Sequence, residues 1–257
     1  IPTKKVNRKI FVVGDLHGEW RQLNSLIAKH RPEKVLQVGD FGWWPKFHNT
    51  TMLHSGVYRS DLMFPGGFRK EMPWKQFSLR TGDAVMHFCP GNHEDWEDLD
   101  MHATSDNPTP VELFKNVIYM PRCSVLKLED GRNALFLGGG HSVDKNERIP
   151  GYDWFPNELI TQRDIQNLPD MKIDIVISHV CPTEFKYDFN SKLKYNQYNG
   201  TNYDPSCDAL SVVLNKYNPS LWFFGHYHIF YTAMFKNTRW FCLNKVGESG
   251  WWTYLPD

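Results

Sequence analysis

The strongest constraint on this chain is a repeated ending: a short apolar run closes on glycine or a polar residue, and a side chain able to bind a metal follows at once. It occurs first at Lys9-Ile-Phe-Val-Val-Gly-Asp15, with His17 two residues on, and again at Lys34-Val-Leu-Gln-Val-Gly-Asp40. A third run, Ala84-Val-Met-His-Phe-Cys89, leads into Pro90-Gly-Asn92-His93-Glu94. The run at 173–177 ends in Ser178-His179, and the run at 221–224 in Gly225-His226-Tyr227-His228. Such runs read as buried strands. Residues two apart on extended backbone point the same way, so Asp15 with His17, and His226 with His228, can face one site.

Between the first two runs, Leu23, Leu26 and Ile27 recur at helical spacing over about 20–30, and Pro32 stops the helix. Strand, helix, strand predicts parallel neighbours in an α/β fold. In a parallel sheet the strand C-termini gather on one edge, where ligands bind. A single histidine after a strand means little; an ordered series of them points to a metal site. Asp and His together suit borderline ions such as zinc, manganese or iron(II). The glycines allow sharp turns and close approach to a bulky anion.

Further strands are predicted at 117–120, 124–129 and 133–138, with a closing hairpin after 228 that turns at Lys236-Asn-Thr238. Two stretches break the pattern. Residues 43–83 are aromatic and basic, which reads as an insertion capping the site or carrying a small core of its own. Residues 186–206 are polar and Tyr-rich, a second lid or a plain loop. The aromatic share of 15%, with ten Trp, fits either a dense core or an aromatic binding surface.

A formal net charge of zero argues against non-specific coating of duplex nucleic acid, while leaving a local basic patch open. The five cysteines show no CxxC pair and read as reduced thiols. No apolar run is long enough for a membrane span or a signal-peptide core, so no membrane partner is expected.

Taken in order, GDLHG, GD, GNHE, a later strand-His and GHYH resemble the calcineurin-like metallophosphoesterase superfamily. The segment Gly138-Gly-Gly-His141-Ser-Val-Asp144, with Arg148 and Trp154-Phe-Pro-Asn-Glu158, resembles its small bacterial and phage members. The resemblance implies an α/β four-layer sandwich, two mixed β-sheets flanked by helices, as one domain over 1–257 with the insertion as cap. It implies that Asp15, His17 and His228 hold one divalent metal ion and Asn92, His179 and His226 another, with Asp40 bridging. Manganese is the expected metal, with iron, zinc, nickel and cobalt as alternatives. His93 is implied to protonate the leaving group while a metal-bridging hydroxide attacks phosphorus.

Protein Ser/Thr phosphatases of the family continue the second motif as GDxxDRG, where the later Asp orients the histidine and the Arg grips phosphate. Here Trp43 and Trp44 stand in those places. That departure favours phosphodiesters, including cyclic nucleotides or nucleic-acid ends, over phosphomonoesters or phosphoproteins. Arg148 is a candidate phosphate contact, or else a salt-bridge partner of Asp144. His141 either lines the site or faces water. A non-catalytic metal-binding scaffold is the alternative of another class, and it should show broken metal motifs. His30, His48, His54, His87 and His102 read as surface or packing groups, Cys89 and Cys181 as buried thiols, and Trp251-Trp252 as an anchor for the tail. The expected compartment is the cytoplasm (the host's, if phage-encoded), and the oligomeric state is left open.

Overall fold

Short apolar runs whose residues are buried on both faces can be satisfied only as interior strands of a covered sheet. That is what they form in the computed structural model, which describes residues 10–44, 79–103, 108–189 and 203–257. The first sheet contains β1 (Ile10–Val13), β2 (Lys34–Gln37), β3 (Val85–Phe88), β4 (Val111–Phe114), β5 (Val117–Tyr119) and, from the far end of the chain, β12 (Trp252–Tyr254). The second contains β6 (Val125–Lys127), β7 (Asn133–Leu137), β8 (Ile175–Ser178), β9 (Leu221–Phe224), β10 (Tyr231–Phe235) and β11 (Thr238–Cys242). Their orders are β12-β1-β2-β3-β5-β4 and β10-β11-β9-β8-β7-β6. Each sheet has a parallel centre (β1, β2, β3, β5 and β11, β9, β8, β7) closed at both edges by an antiparallel strand.

Alternation decides which side chain faces which layer. Val12, Leu36, Val38, Cys89 and Met120 of the first sheet meet Phe136, Ile175, Ile177, Phe223 and Phe241 of the second in a core between the sheets. Phe11, Val13, Val35, Met86 and Phe88 turn outward under helix α1 (Trp20–His30) and Leu99 of α2 (Trp96–His102). On the other side, α3 (Gln162–Gln166), α4 (Thr183–Phe189) and α5 (Pro205–Tyr217) cover Leu135, Val176, Trp222 and Trp240. The result is four layers, helix, sheet, sheet, helix.

The structure also supplies elements that periodicity did not suggest. β4, α2 and β12 are short and lack a clean repeat, so tertiary packing defines them. Trp252 does more than anchor the tail: β12 pairs antiparallel with β1, and the Trp252 ring stacks on Phe11 at 5.0 Å. The two ends of the 186–206 stretch are helical, with Phe189 buried, and most of its centre lies outside the described residues. Of the 43–83 segment, Trp43 and Trp44 are buried wall residues, and residues 45–78, including His48 and His54, lie outside the described part. The five cysteines are buried and unpaired. Among the described residues, no helix is long and apolar enough to cross a membrane.

Phe223 is fully buried and stacks on Phe241 at 4.8 Å in the layer between the sheets. Phe223→Ala leaves a cavity that neither sheet can close, and should cost about 3–5 kcal/mol, read from urea or guanidinium unfolding midpoints.

Candidate metal centre

The candidate site side chains of the sequence all follow the C-terminal ends of parallel strands. Asp15 and His17 follow β1, Asp40 follows β2, and Asn92 and His93 follow β3. On the second sheet His179 follows β8, and His226 and His228 follow β9. Stacking the sheets brings these ends together, so residues about two hundred positions apart become neighbours. Four of the ligand candidates have left-handed backbone: His17 (φ 46), Asp40 (φ 52), His226 (φ 66) and His228 (φ 49). For residues with a Cβ this costs about 1–3 kcal/mol each and persists only where surroundings impose it. Here they do. The backbone N–H groups of Leu16 and His17 both donate to Asp40 O (2.9 and 2.7 Å), and His226 N–H donates to Asp15 Oδ2 (2.9 Å).

Two groups of ligand atoms result. In one, His17 Nε2 lies 3.2 Å from His228 Nε2 and 3.6 Å from Asp40 Oδ2, and His228 Nε2 lies 3.1 Å from Asp15 Oδ2. Among the described residues, these four offer ligand atoms all within 4.8 Å of one another. In the other, Asn92 Oδ1 lies 2.9 Å from His179 Nε2 and 3.0 Å from His226 Nδ1. His179 Nε2 is 3.4 Å from Asp40 Oδ1. Ligands about 2.1 Å from a common ion stand about 3.0 Å apart along an octahedral edge and about 3.4 Å apart along a tetrahedral one. The donor chemistry and spacing therefore fit divalent ions. Asp40 turns one oxygen to each group.

Supporting contacts aim the donors. His179 Nδ1 faces the Val38 carbonyl at 3.1 Å, which puts the hydrogen on Nδ1 and leaves Nε2 as a lone pair for a cation. Buried Glu94 accepts from Gly42 N–H (2.8 Å) and Gly91 N–H (2.5 Å), tying the loop that carries Asp40 to the loop that carries Asn92. Burial and then the Asp40 charge push the Glu94 carboxyl up to about 8. Two motif glycines also find a reason. A Cβ on Gly91 would enter the Asp40 carboxylate, and one on Gly225 the Asp15 carboxylate. The sequence reading gave glycine an approach to a substrate anion; at these two positions the close neighbour is a candidate ligand carboxylate.

Electrostatics point the same way. Burial opposes ionising Asp40, but the imidazoles around it, His179 foremost, hold its carboxyl well below the usual range. Burial disfavours charge on His179 too, and Asp40 outweighs it, so that ring is raised. His226 is pushed down by burial and then by His179, and His17 by burial. Asp40 thus favours a proton on His179, a charge that a divalent ion held by these residues would replace.

His93 stands beside this centre, its ring 5.4 Å from that of His17. Burial holds it well below the ordinary imidazole range, with Asp40 pulling upward and Arg148 downward. The sequence reading left Arg148 between a phosphate contact and a partner for Asp144, and in the structure it pairs with Asp144. Its Nε and Nη2 donate to Asp144 Oδ2 (2.9 and 2.8 Å), and Nη1 faces the carbonyls of Asn92 (3.3 Å) and Asp153 (3.4 Å). Nη2 also reaches His93, 2.6 Å from Nε2. Arg148 thus sits beside His93 with its donors engaged by Asp144, two backbone carbonyls and that ring. His141 is half-buried and gives its backbone N–H to Asp204. His87 is buried in the sheet, His30 packs on Phe11 and Trp252, and His102 faces Asp98 at 3.4 Å. Sequence reasoning gave no role to Glu94 as a loop clamp, nor to Ser142 and Glu158; their only signal was proximity to motif residues.

Asp40→Asn removes the charge that both groups share. It should weaken at least one ion by more than about 100-fold, read by titrating manganese into the metal-free protein. Retention of two tightly held ions would contradict the shared position.

A family model described as calcineurin-like phosphoesterase matches residues 8–230. The crystal structure of TT1561 of Thermus thermophilus is similar in fold, with a TM-score of 0.52 at 14% identity over 93% of this chain and 89% of that one. The crystal structure of Phosphopantetheinyl Hydrolase (PptH) from Mycobacterium tuberculosis has a TM-score of 0.48 at 13% identity, over 97% and 96%. Among curated proteins, none matches. With the family model spanning most of its length, the chain belongs to the calcineurin-like phosphoesterase family.

Proposed function

We propose that this chain hydrolyses phosphodiesters with two divalent ions, the substrate being a nucleotide or a nucleic-acid end. The observation that carries the reading is the division of Asp40, whose Oδ2 faces His17 at 3.6 Å and whose Oδ1 faces His179 at 3.4 Å. Asp15, His17 and His228 complete one group, and Asn92, His179 and His226 the other. Manganese is our choice of metal; iron, zinc, nickel and cobalt suit the same carboxylate, amide and imidazole donors. Such an ion pair supplies Lewis-acid polarisation of a phosphoryl group and a hydroxide nucleophile near neutral pH.

The chain's own residues do the rest. Asp40 and Asp15 neutralise charge that would otherwise accumulate in a buried site. His93 gives the departing alkoxide its proton. A phosphate ester brings negative charge beside that ring and raises its proton affinity, opposing the burial that depresses it. Arg148 holds His93 in place. Because Asp144 already balances the Arg148 charge, the site suits a substrate with one negative charge better than one with two. The same arginine supports a second reading, phosphomonoester hydrolysis. A dianion would compete for the Nη1 group, which holds its carbonyl partners only at 3.3 and 3.4 Å.

Side-by-side turnover of bis-p-nitrophenyl phosphate and p-nitrophenyl phosphate, with manganese and with chelator, separates the readings. Diester preference that chelator abolishes is expected; monoester preference moves the assignment to a phosphatase. His93→Ala should keep both ions while losing about 10²–10⁴-fold in rate on esters with poor leaving groups, and least on nitrophenyl esters. Loss of metal in that variant would make His93 a ligand instead.

A further inference from the structure

Asn92 differs from the other ligand candidates in having two nearly isosteric ends. Its oxygen can bind a cation, and its amino group repels one. Turning the amide over changes little in shape and everything in charge, so some neighbour must decide which end faces the site. Oδ1 is turned to His179 Nε2 and His226 Nδ1, and Nδ2 donates to Ser142 Oγ at 3.1 Å.

Ser142 is fully buried and is committed in turn. Its hydroxyl donates to Glu158 Oε2 at 2.7 Å, and its backbone N–H donates to Glu158 Oε1 at 2.7 Å. Trp154 Nε1 donates to that same Oε1 at 3.0 Å. Glu158 is 1% exposed, and an ionised carboxylate only accepts. The single hydroxyl hydrogen of Ser142 is therefore spent on Glu158, and toward Asn92 the oxygen can only accept. An N–H fits there and a carbonyl oxygen does not.

We propose that Glu158, acting through Ser142, is the positioning residue that fixes the orientation of the Asn92 amide and presents its oxygen to a divalent cation. Neither residue touches the reacting atoms. Both lie on the loop that leaves β7, the parallel strand next to β8, and that loop contributes no ligand itself. The inference rests on the reading of Asn92, His179, His226 and Asp40 as one metal group. It separates this loop's role from packing, because the network controls polarity rather than shape.

Glu158→Gln is the sharper variant, since it keeps the shape and reverses the chain. A glutamine amino group facing Ser142 Oγ would release the hydroxyl hydrogen from position 158 and let it turn toward Asn92, which favours an amide flipped with its amino group into the site. The test is manganese titration of the metal-free full chain by calorimetry. It is run at about pH 8, where Glu158, pushed up to about 7 by burial, is ionised. Wild type should take two ions. Ser142→Ala should weaken one of them by about 10–100-fold and spare the other, and Glu158→Gln should do at least as much. In an Asn92→Asp background both ends of the side chain are oxygens, so the Ser142→Ala penalty should largely vanish. If Glu158→Gln does not fold, Ser142→Ala and its Asn92→Asp double variant decide alone. Unchanged affinities in folded variants, equal weakening of both ions, or a penalty that persists with Asp at 92 would overturn the proposal. A wild type that binds no ion pair would remove the reading of the site and this inference with it.

Discussion

The carboxylate of Asp40 is the constraint on which the rest of the site depends. It is 2% exposed, on left-handed backbone, and it faces an imidazole from each of the two sheets. A negative group so placed needs compensating charge, because burial alone would force it neutral. The compensation comes from several directions at once. His93 N–H donates to Oδ1 at 2.9 Å, His17 and His179 approach the two oxygens, and divalent ions would complete the set. Gly91 is glycine because the carboxylate occupies the place of its Cβ. The left-handed backbone of His17, Asp40 and His226 is sustained by hydrogen bonds to other loops, and the His228 side chain faces Asp15 across the site.

The sandwich explains how such a site can exist at all. Each sheet alone brings only part of the candidate ligand set to its edge: Asp15, His17, Asp40 and Asn92 from the first, His179, His226 and His228 from the second. A tightly packed apolar layer between the sheets fixes their relative position, and close-packed interiors tolerate little sliding. Donor atoms on opposite sheets are thereby held at about 3 Å without a covalent link between them. The outer helices cover the remaining apolar faces.

Around the ligands, polar contacts decide orientation rather than presence. The Val38 carbonyl faces Nδ1 of His179, Glu94 joins the loops that carry Asp40 and Asn92, and Asp144 pairs with the arginine that contacts His93. The loop after β7 supplies much of this outer ring. In its place the sequence shows only a glycine-rich turn followed by ordinary polar residues, since hydrogen-bond direction leaves no periodic trace. Trp43 and Trp44, which stand where protein phosphatases carry an orienting Asp and a gripping Arg, are wall residues here. Asp144 and Arg148 reach the neighbourhood of His93 from a different loop.

Local rules along the chain were enough to place the parallel strand runs, the first helix and its stop, the closing hairpin, and the residue types that could bind metal. They need only apolar runs of strand length, the helical spacing of Leu23, Leu26 and Ile27, and a ligand residue set just past each strand. They did not reveal β4, β12 or α2, which are too short for a repeat to register and form because a neighbouring strand or core requires them. Nor did they settle the post of Arg148, the reason for Gly91 and Gly225, or the partners of Ser142 and Glu158. Those depend on which side chains face one another across loops far apart in sequence. The stacked sheets alone settle that, because contact at hydrogen-bond range between residues such as Asn92 and Ser142, or Asp15 and His226, is set by packing geometry and leaves no trace in spacing along the chain.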